Sequence, residues 1–236
     1  MANFYEKNKA NLREAVLSND NSSKIHQTFL DYVGETPKGA RILDIGTGNG
    51  YVLSEIEKRY INKYDLFGVD ISPDMLEKAR GLIGKKANLQ LADNNELPFE
   101  EAYFSTVTAK NVTNFSPDEL ARVLEDGGRL VFREYGLGKG LVEIAELFRD
   151  RLIRSRSPDF YVDGLKEVGF EDIQVQTFNF AKRYTLESLI PIVQMFPFIK
   201  NLSDSDLRRI EEMFSNDRKI TITSDPFILT TRRRKR

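Results

Sequence analysis

The 236-residue chain is predicted to form an α/β domain with a doubly wound parallel sheet, and three observations lead there. Short apolar runs alternate with amphipathic stretches through the first two thirds of the sequence, the pattern of strands joined by helices. The first run, Arg41-Ile42-Leu43-Asp44-Ile45, passes directly into Gly46-Thr47-Gly48-Asn49-Gly50 and then into helix-compatible Tyr51 to Tyr60. A second run, Asp65 to Asp70, closes on a carboxylate one β-α-β unit further on.

The glycine turn is the centre of the reading. Glycines suit a place where backbone must approach a ligand or take positive φ, and the helix that follows presents unpaired N–H groups and the positive end of its dipole. A ligand carboxylate or phosphate would be held there.

In order, Asn3 to Leu17 is helix-compatible, and Lys24 to Val33 places Ile25, Phe29, Tyr32 and Val33 on one helical face. The first strand is expected over Ala40 to Ile45. Ser72-Pro73-Asp74 caps a helix that runs to about Ile83. Leu89 to Ala92 closes on Asp93 as a third strand, and Tyr103 to Ala109 is a fourth, rich in β-branched residues. Ser116-Pro117-Asp118-Glu119 reads as a capping box, and Asp126-Gly127-Gly128 turns the helix into a fifth strand, Arg129 to Tyr135.

The final third changes character. Lys139 to Arg154 reads as one long helix, Ser157-Pro158 starts another ending at Gly169, and Glu171 to Phe180 is a sixth strand. Thr185 to Lys200 is apolar and broken by Pro191 and Pro197, which suggests a helical lid; Ser203 caps a further helix, and Lys219 to Thr223 and Pro226 to Thr231 end the chain as strand. The boundaries expected are 1–36 for an N-terminal helical cap, 37–180 for the core, 181–216 for the lid insertion and 217–236 for the last strand and tail, all in one domain.

Composition narrows the function. There is no cysteine, which excludes disulfides and thiolate metal sites. Met1 to Asp20 is polar, and no run is long enough to span a membrane, so the protein is expected to be soluble and cytoplasmic. The formal net charge is −1 although Arg232-Arg233-Arg234-Lys235-Arg236 are all basic, so the body is mildly acidic and a poor surface for nucleic acid. The tail is read as a solvated chain end. Scattered carboxylates and a single histidine, His26, give no support for a metal; His26 is expected at the surface or boundary of its helix.

Taken together, Asp44-Ile45-Gly46-Thr47-Gly48-Asn49-Gly50, Asp70 and Asp93 resemble the S-adenosylmethionine-dependent methyltransferases of the Rossmann-like class. Ala109-Lys110-Asn111-Val112-Thr113-Asn114 with Arg122 to Leu130 is similar to the small-molecule branch that includes the ubiquinone and menaquinone biosynthesis methyltransferases. The resemblance covers about Ala40 to Tyr135 and implies a seven-stranded, mostly parallel sheet with the last strand antiparallel. It also implies S-adenosylmethionine as cofactor and a small-molecule partner. By the same resemblance Gly46, Thr47, Gly48 and Gly50 would take the cofactor's methionyl and ribose parts, and Asp44 would sit beneath its amino-acid end. Asp70 would accept both ribose hydroxyls, Ile71 and Met75 would pack on the adenine, and Asp93 and the backbone of Asn94 would bind the adenine edge. Tyr5, with Phe4, would close over the cofactor if the first helix is a lid.

Lys110 and Asn111 would line the methyl-transfer chamber, and Glu134 and Tyr135, ending the fifth strand, are the first candidates for substrate contact. Tyr161, Tyr184, Met195, Phe196 and Phe198 are read either as an aromatic pocket or as core. Asn111-Val112-Thr113-Asn114 lacks the Asn/Asp-Pro-Pro-aromatic stretch expected of a DNA amino-methyltransferase. Three alternatives stay open: a protein or RNA methyltransferase using the basic tail, an aminopropyl transferase on the same fold, and a non-catalytic cofactor-binding protein.

Overall fold

A computed structural model describes residues 24–112, 114–153, 157–195, 198–215 and 217–235. The helix expected over Asn3 to Leu17, with Phe4 and Tyr5, lies outside these residues, as do Phe196 and Pro197. By packing, the described chain forms two compact units.

The first unit, Gln27–Glu134, Pro158–Gln176 and Phe227–Arg236, is built on a seven-stranded sheet. Its elements are α1 (Lys24–Gly34), β1 (Arg41–Ile45), α2 (Tyr51–Arg59), β2 (Asp65–Asp70), α3 (Pro73–Ile83), β3 (Ala87–Leu91), β4 (Phe104–Lys110), α4 (Pro117–Val123) and β5 (Leu124–Tyr135). After β5 the chain returns to it as α6 (Pro158–Glu167), β6 (Phe170–Thr177) and β9 (Pro226–Arg233). The strand order is β3-β2-β1-β4-β5-β9-β6, and β3, β2, β1, β4 and β5 are mutually parallel.

The last strand runs against its neighbours. Phe178 N–H donates to Pro226 O at one end of the β6–β9 pair and Arg234 N–H donates to Gly169 O at the other, an antiparallel order. The expected seven-stranded, mostly parallel sheet is therefore what the chain builds. Both of its faces are covered by helices, which is why β1 is buried at four of its five positions and reads as a continuous apolar run.

Local chemistry starts the helices as expected. Ser72 and Ser116 accept hydrogen bonds from the N–H groups of Met75 and Glu119 at the N-termini of α3 and α4, and proline follows each cap. The reciprocal half of the second capping box is absent, because the Glu119 carboxylate turns to Leu97 N–H at 2.7 Å and to Arg122. α4 then enters β5 without an intervening loop, since strand pairing with β4 begins at Leu124. His26 departs from its expected exposed place: α1 buries Ile25, His26, Phe29 and Leu30.

The second unit is built from Met1–His26, Tyr135–Ser157 and Thr177–Pro226, of which the first segment is described only from Lys24. It contains α5 (Val142–Leu147), β7 (Phe180–Tyr184), α7 (Leu186–Met195), α8 (Asp204–Met213) and β8 (Ile220–Ser224). β7 and β8 form an antiparallel pair from Phe180–Ser224 to Tyr184–Ile220, and its core joins Ile144, Phe148, Leu189, Val193, Phe198, Ile210 and Ile222. Two expectations are corrected here. The single helix over Lys139 to Arg154 is replaced by a turn over Leu137–Gly140, the short α5 and a further turn, because Gly138, Lys139 and Gly140 take left-handed φ and cannot propagate a helix. The strand expected over Glu171 to Phe180 is found as β6 but ends at Thr177, and Phe180 opens β7, which pairs with β8.

The basic tail is only in part the solvated end expected of it. β9 continues to Arg233, which is 5% exposed, donates to Leu124 O and lies 3.6 Å from Glu101 and 3.9 Å from Asp126. Arg232 and Arg234 are exposed; the first donates to Gly127 O and the second pairs with Glu171 at 3.1 Å. Arg233 is structural because the strand carrying it is the one between β5 and β6. Among the described residues no helix is long and apolar enough to cross a membrane.

Removing the Arg233 guanidinium strips Leu124 O of its donor while Glu101 and Asp126 stay half in water, so the cost is that of an unsatisfied buried acceptor, about 1–3 kcal/mol. Arg233→Ala is expected to lower unfolding free energy on that scale in urea titrations, whereas Arg232→Ala, on the exposed side of β9, should change it by less than about 0.5 kcal/mol.

Candidate active site

The site is built where β1 and β2 end. Gly46, Gly48 and Gly50 all adopt left-handed φ, at 60°, 56° and 79°. Thr47 N–H extends the ladder to Val69 O at 2.9 Å, and Gly50 N–H closes on Thr47 O at 3.0 Å. The decisive bond is from Gly48 N–H to Asp70 Oδ2 at 2.8 Å, while Asp70 Oδ1 accepts Ser72 N–H at 2.9 Å. One carboxylate thus pins the glycine turn to the end of β2 and to the start of α3. Each oxygen keeps a further acceptor site, since a carboxylate offers about four.

The glycines are required for different reasons. A Cβ on Gly50 would press within 3.0–3.1 Å of Ala79, so this residue lets α2 and α3 approach. A Cβ on Gly48 would meet nothing within 4 Å, so the left-handed turn opens there onto space a ligand can enter. Gly68, in the middle of β2, matters as well: its absent side chain makes room for Leu53, Leu89 and Thr47.

Asp44 is buried within β1 and accepts a 2.7 Å hydrogen bond from Thr108 Oγ1 on β4. Burial pushes its carboxyl up to about 7, against the opposing influence of the Thr108 and Thr47 hydroxyls and the Lys110 charge. Asp93 is exposed and accepts both the N–H and the side-chain amide of Asn95, at 2.8 and 2.7 Å. Ile71 is 71% exposed beside Asp70 and Met75 is half-buried one turn into α3. Leu91, at the end of β3 and two residues before Asp93, is a large apolar side chain left 59% exposed, which the sequence reading did not single out.

The ends of β4 and β5 carry the other expected residues. Lys110 Nζ lies 4.6 Å from the centre of the Tyr51 ring. Asn111 takes φ 59° and donates its N–H to Arg133 O at 2.9 Å. Glu134 is buried at the end of the first unit's β5, and Tyr135 follows, its ring 5.6 Å from Lys182 Nζ. Successive strand side chains point to opposite faces, so Glu134 and Tyr135 do not line one chamber together. Tyr161 is core in the first unit, 4.7 Å from Phe132, and Tyr184 and Phe198 pack in the core of the second. Tyr5 lies outside the described residues.

Comparison with known proteins bears on this geometry. A methyltransferase-domain family matches residues 42–131, which run from β1 into β5. The chain is 34% identical over 110 residues to the ubiquinone/menaquinone biosynthesis C-methyltransferase UbiE of Geotalea daltonii, covering 42% of this chain and 46% of that one. It is 30% identical over 190 residues to the 27-O-demethylrifamycin SV methyltransferase of Amycolatopsis mediterranei, covering 73% of this chain and 67% of that one. The chain belongs to the S-adenosylmethionine-dependent, Rossmann-like methyltransferases. The fold agrees: the crystal structure of the YcgJ protein from Bacillus subtilis superposes with a TM-score of 0.64 at 19% identity, covering 89% of this chain and all of that one. The chain thus spans about half the length of the first of these relatives.

The site of this methyltransferase fits its cofactor on two observations. The side-chain oxygens of Asn94 and Asn111 are buried without a hydrogen-bond partner among the described residues, and S-adenosylmethionine brings N–H donors in its ammonium and adenine amino groups. The open side of Gly48 lies next to Asp70, whose oxygens can accept hydroxyls. Among the described residues no group of three or more histidines or acids could hold a metal ion.

Two expectations follow. Asp70→Ala should weaken S-adenosylhomocysteine binding by about 1.5–3 kcal/mol, the scale of a hydrogen bond to a charged group, read by calorimetry. For Asp44, the folded chain holds a proton that the unfolded chain has released between about pH 4 and pH 7. Its stabilising effect is therefore complete below that range and lost as pH rises through it, at up to about 1.4 kcal/mol per pH unit. Asp44→Asn should remove that slope from the pH dependence of denaturation.

Proposed function

We propose that this methyltransferase transfers a methyl group to a small, partly apolar or aromatic acceptor by in-line displacement. The observation that carries the reading is the Asp70-clamped glycine turn in the segment that also matches the family. The two relatives named above act, by their names, on a quinone-pathway compound and on a rifamycin. The burial of Arg233 in β9 and the engagement of Arg232 with Gly127 O and of Arg234 with Glu171 weigh against a basic tail that grips RNA or protein.

S-adenosylmethionine supplies an activated methyl on a sulfonium, so the protein's share is alignment and exclusion of water. Gly48 and Asp70 would hold the ribose side, with Thr47 and Gly46 along the methionyl chain. Ile71, Leu91 and Met75 would flank the adenine, with Asp93 at its edge. Lys110 and Asn111 would stand where the methyl is delivered, with Glu134 as the nearest acid on β5. Residues outside 42–131 would select the acceptor, since the family match ends in β5.

Calorimetric titration with S-adenosylmethionine, S-adenosylhomocysteine and NAD tests this reading. Binding of the two sulfur ligands tighter than about 100 μM, with none for NAD, is expected. Methyl transfer to members of a panel of small aromatic acceptors should follow. Folded protein that binds neither sulfur ligand would overturn it.

A further inference from the structure

Asp44 stands in register with Gly68 on β2 and with Thr108 on β4, so the three share one face of the sheet. On the elements around its carboxyl, β4 presents Thr108 and Lys110 and β2 presents Gly68 and Asp70. The space that a side chain at 68 would take is filled by Leu53 of α2, Leu89 of β3 and the Thr47 methyl group. Of these residues only Lys110 and Asp70 carry charge, and they act on Asp44 in opposite senses. Asp44 is 1% exposed, and its carboxyl is bonded to the neutral hydroxyl of Thr108 at 2.7 Å.

A carboxyl taken out of water without a cation of its own keeps its proton, because burial penalises the charged form. The other acids on this side of the sheet are placed differently. Asp70 accepts two backbone N–H groups, and Asp93 is exposed and holds Asn95. Asp44 stands two residues before Gly46 in the chain and has acceptor capacity to spare, since a carboxylate offers about four sites and Thr108 takes one. S-adenosylmethionine carries an ammonium, and a cation held beside a neutral, buried carboxyl would be left without compensation.

We infer that Asp44 couples cofactor binding to the release of a proton: its carboxyl is protonated before binding and ionises to meet the cofactor's ammonium, so binding tightens as pH rises. The inference rests on the methyl-transfer reading and adds a regulation to its site. The O–H bond of Asp44 breaks, the proton goes to solvent and the electron pair stays on the carboxylate; no bond in the cofactor changes. Thr108 is a positioning residue, whose hydroxyl donates to the carboxylate so formed. Before binding the group titrates at about 7 and after binding lower, so affinity climbs with pH between those two values and is level above the upper one.

The probe is S-adenosylhomocysteine, which keeps the ammonium, titrated calorimetrically in buffers of different ionisation enthalpy. A neighbouring cation lowers a carboxyl by about one to three pH units, so roughly half a proton to one proton should be released at about pH 6. On the same basis affinity should rise about five- to fiftyfold from about pH 5 to pH 7. Asp44→Asn should release no proton and keep the wild type's low-pH affinity throughout. Thr108→Val should carry the upper end of the climb to higher pH, and Thr108→Ser should restore it. Each variant is checked for folding by circular dichroism. Binding whose heat shows no proton release, a release that survives in folded Asp44→Asn, or a climb that Thr108→Val leaves unmoved overturns the inference. Should Asp44→Asn fail to fold, the wild-type release and the Thr108 pair still decide. If the wild-type protein binds no S-adenosylhomocysteine, the methyl-transfer reading itself falls.

Discussion

The hydrogen bonds to Asp70 from the N–H groups of Gly48 and Ser72 are the constraint on which the site depends. A turn made of glycines has no side chains to lock it, so its shape must come from backbone bonds and from a partner outside the turn. Asp70 is that partner. Because it stands at the end of β2, the turn is located by the sheet rather than by its own sequence. The same carboxylate is poised to accept hydroxyls with its remaining lone pairs. A single residue therefore shapes the turn and faces what the turn would bind.

Electrostatics divide the carboxyl edge of the sheet. On the β1–β2 side stand Asp70, at the rim of the turn, and Asp93 beyond it, and on the β4–β5 side Lys110 and Arg133 lie opposite each other in register. The buried Asp44 carboxyl, held near 7 by its lack of solvent, is the point at which this edge responds to pH.

Much of the site was legible in the sequence because it is local in the chain. Asp44, the three glycines, Asp70 and the Ser72 cap fall on one strand-turn-helix-strand segment, and periodicity locates their elements. Leu91 and Gly68 were missed because their significance lies across strands, where Leu91 flanks a neighbouring loop and Gly68 makes room for α2 and β3. The pairing of Lys110 with Arg133 depends on register, which a single strand's sequence does not contain. The helix expected over Lys139 to Arg154 failed for a local reason, since Gly138 and Gly140 permit a left-handed turn that outweighs helical spacing further on.

The sequence by itself determined the alternating α/β order, the helix starts at Ser72, Ser116 and Ser203, the glycine turn and the carboxylate that follows it. These arise from neighbours in the chain, from hydrogen bonds a few residues apart and from apolar period. Tertiary structure alone decided that β6 ends at Thr177 and Phe180 opens a second sheet, that Arg233 is buried and that Glu119 turns to Leu97. It also decided which cations face each other at the end of β4 and β5. Each of those outcomes follows from which segment lies beside which, and residues far apart in sequence carry no mark of that until packing and strand pairing bring them together.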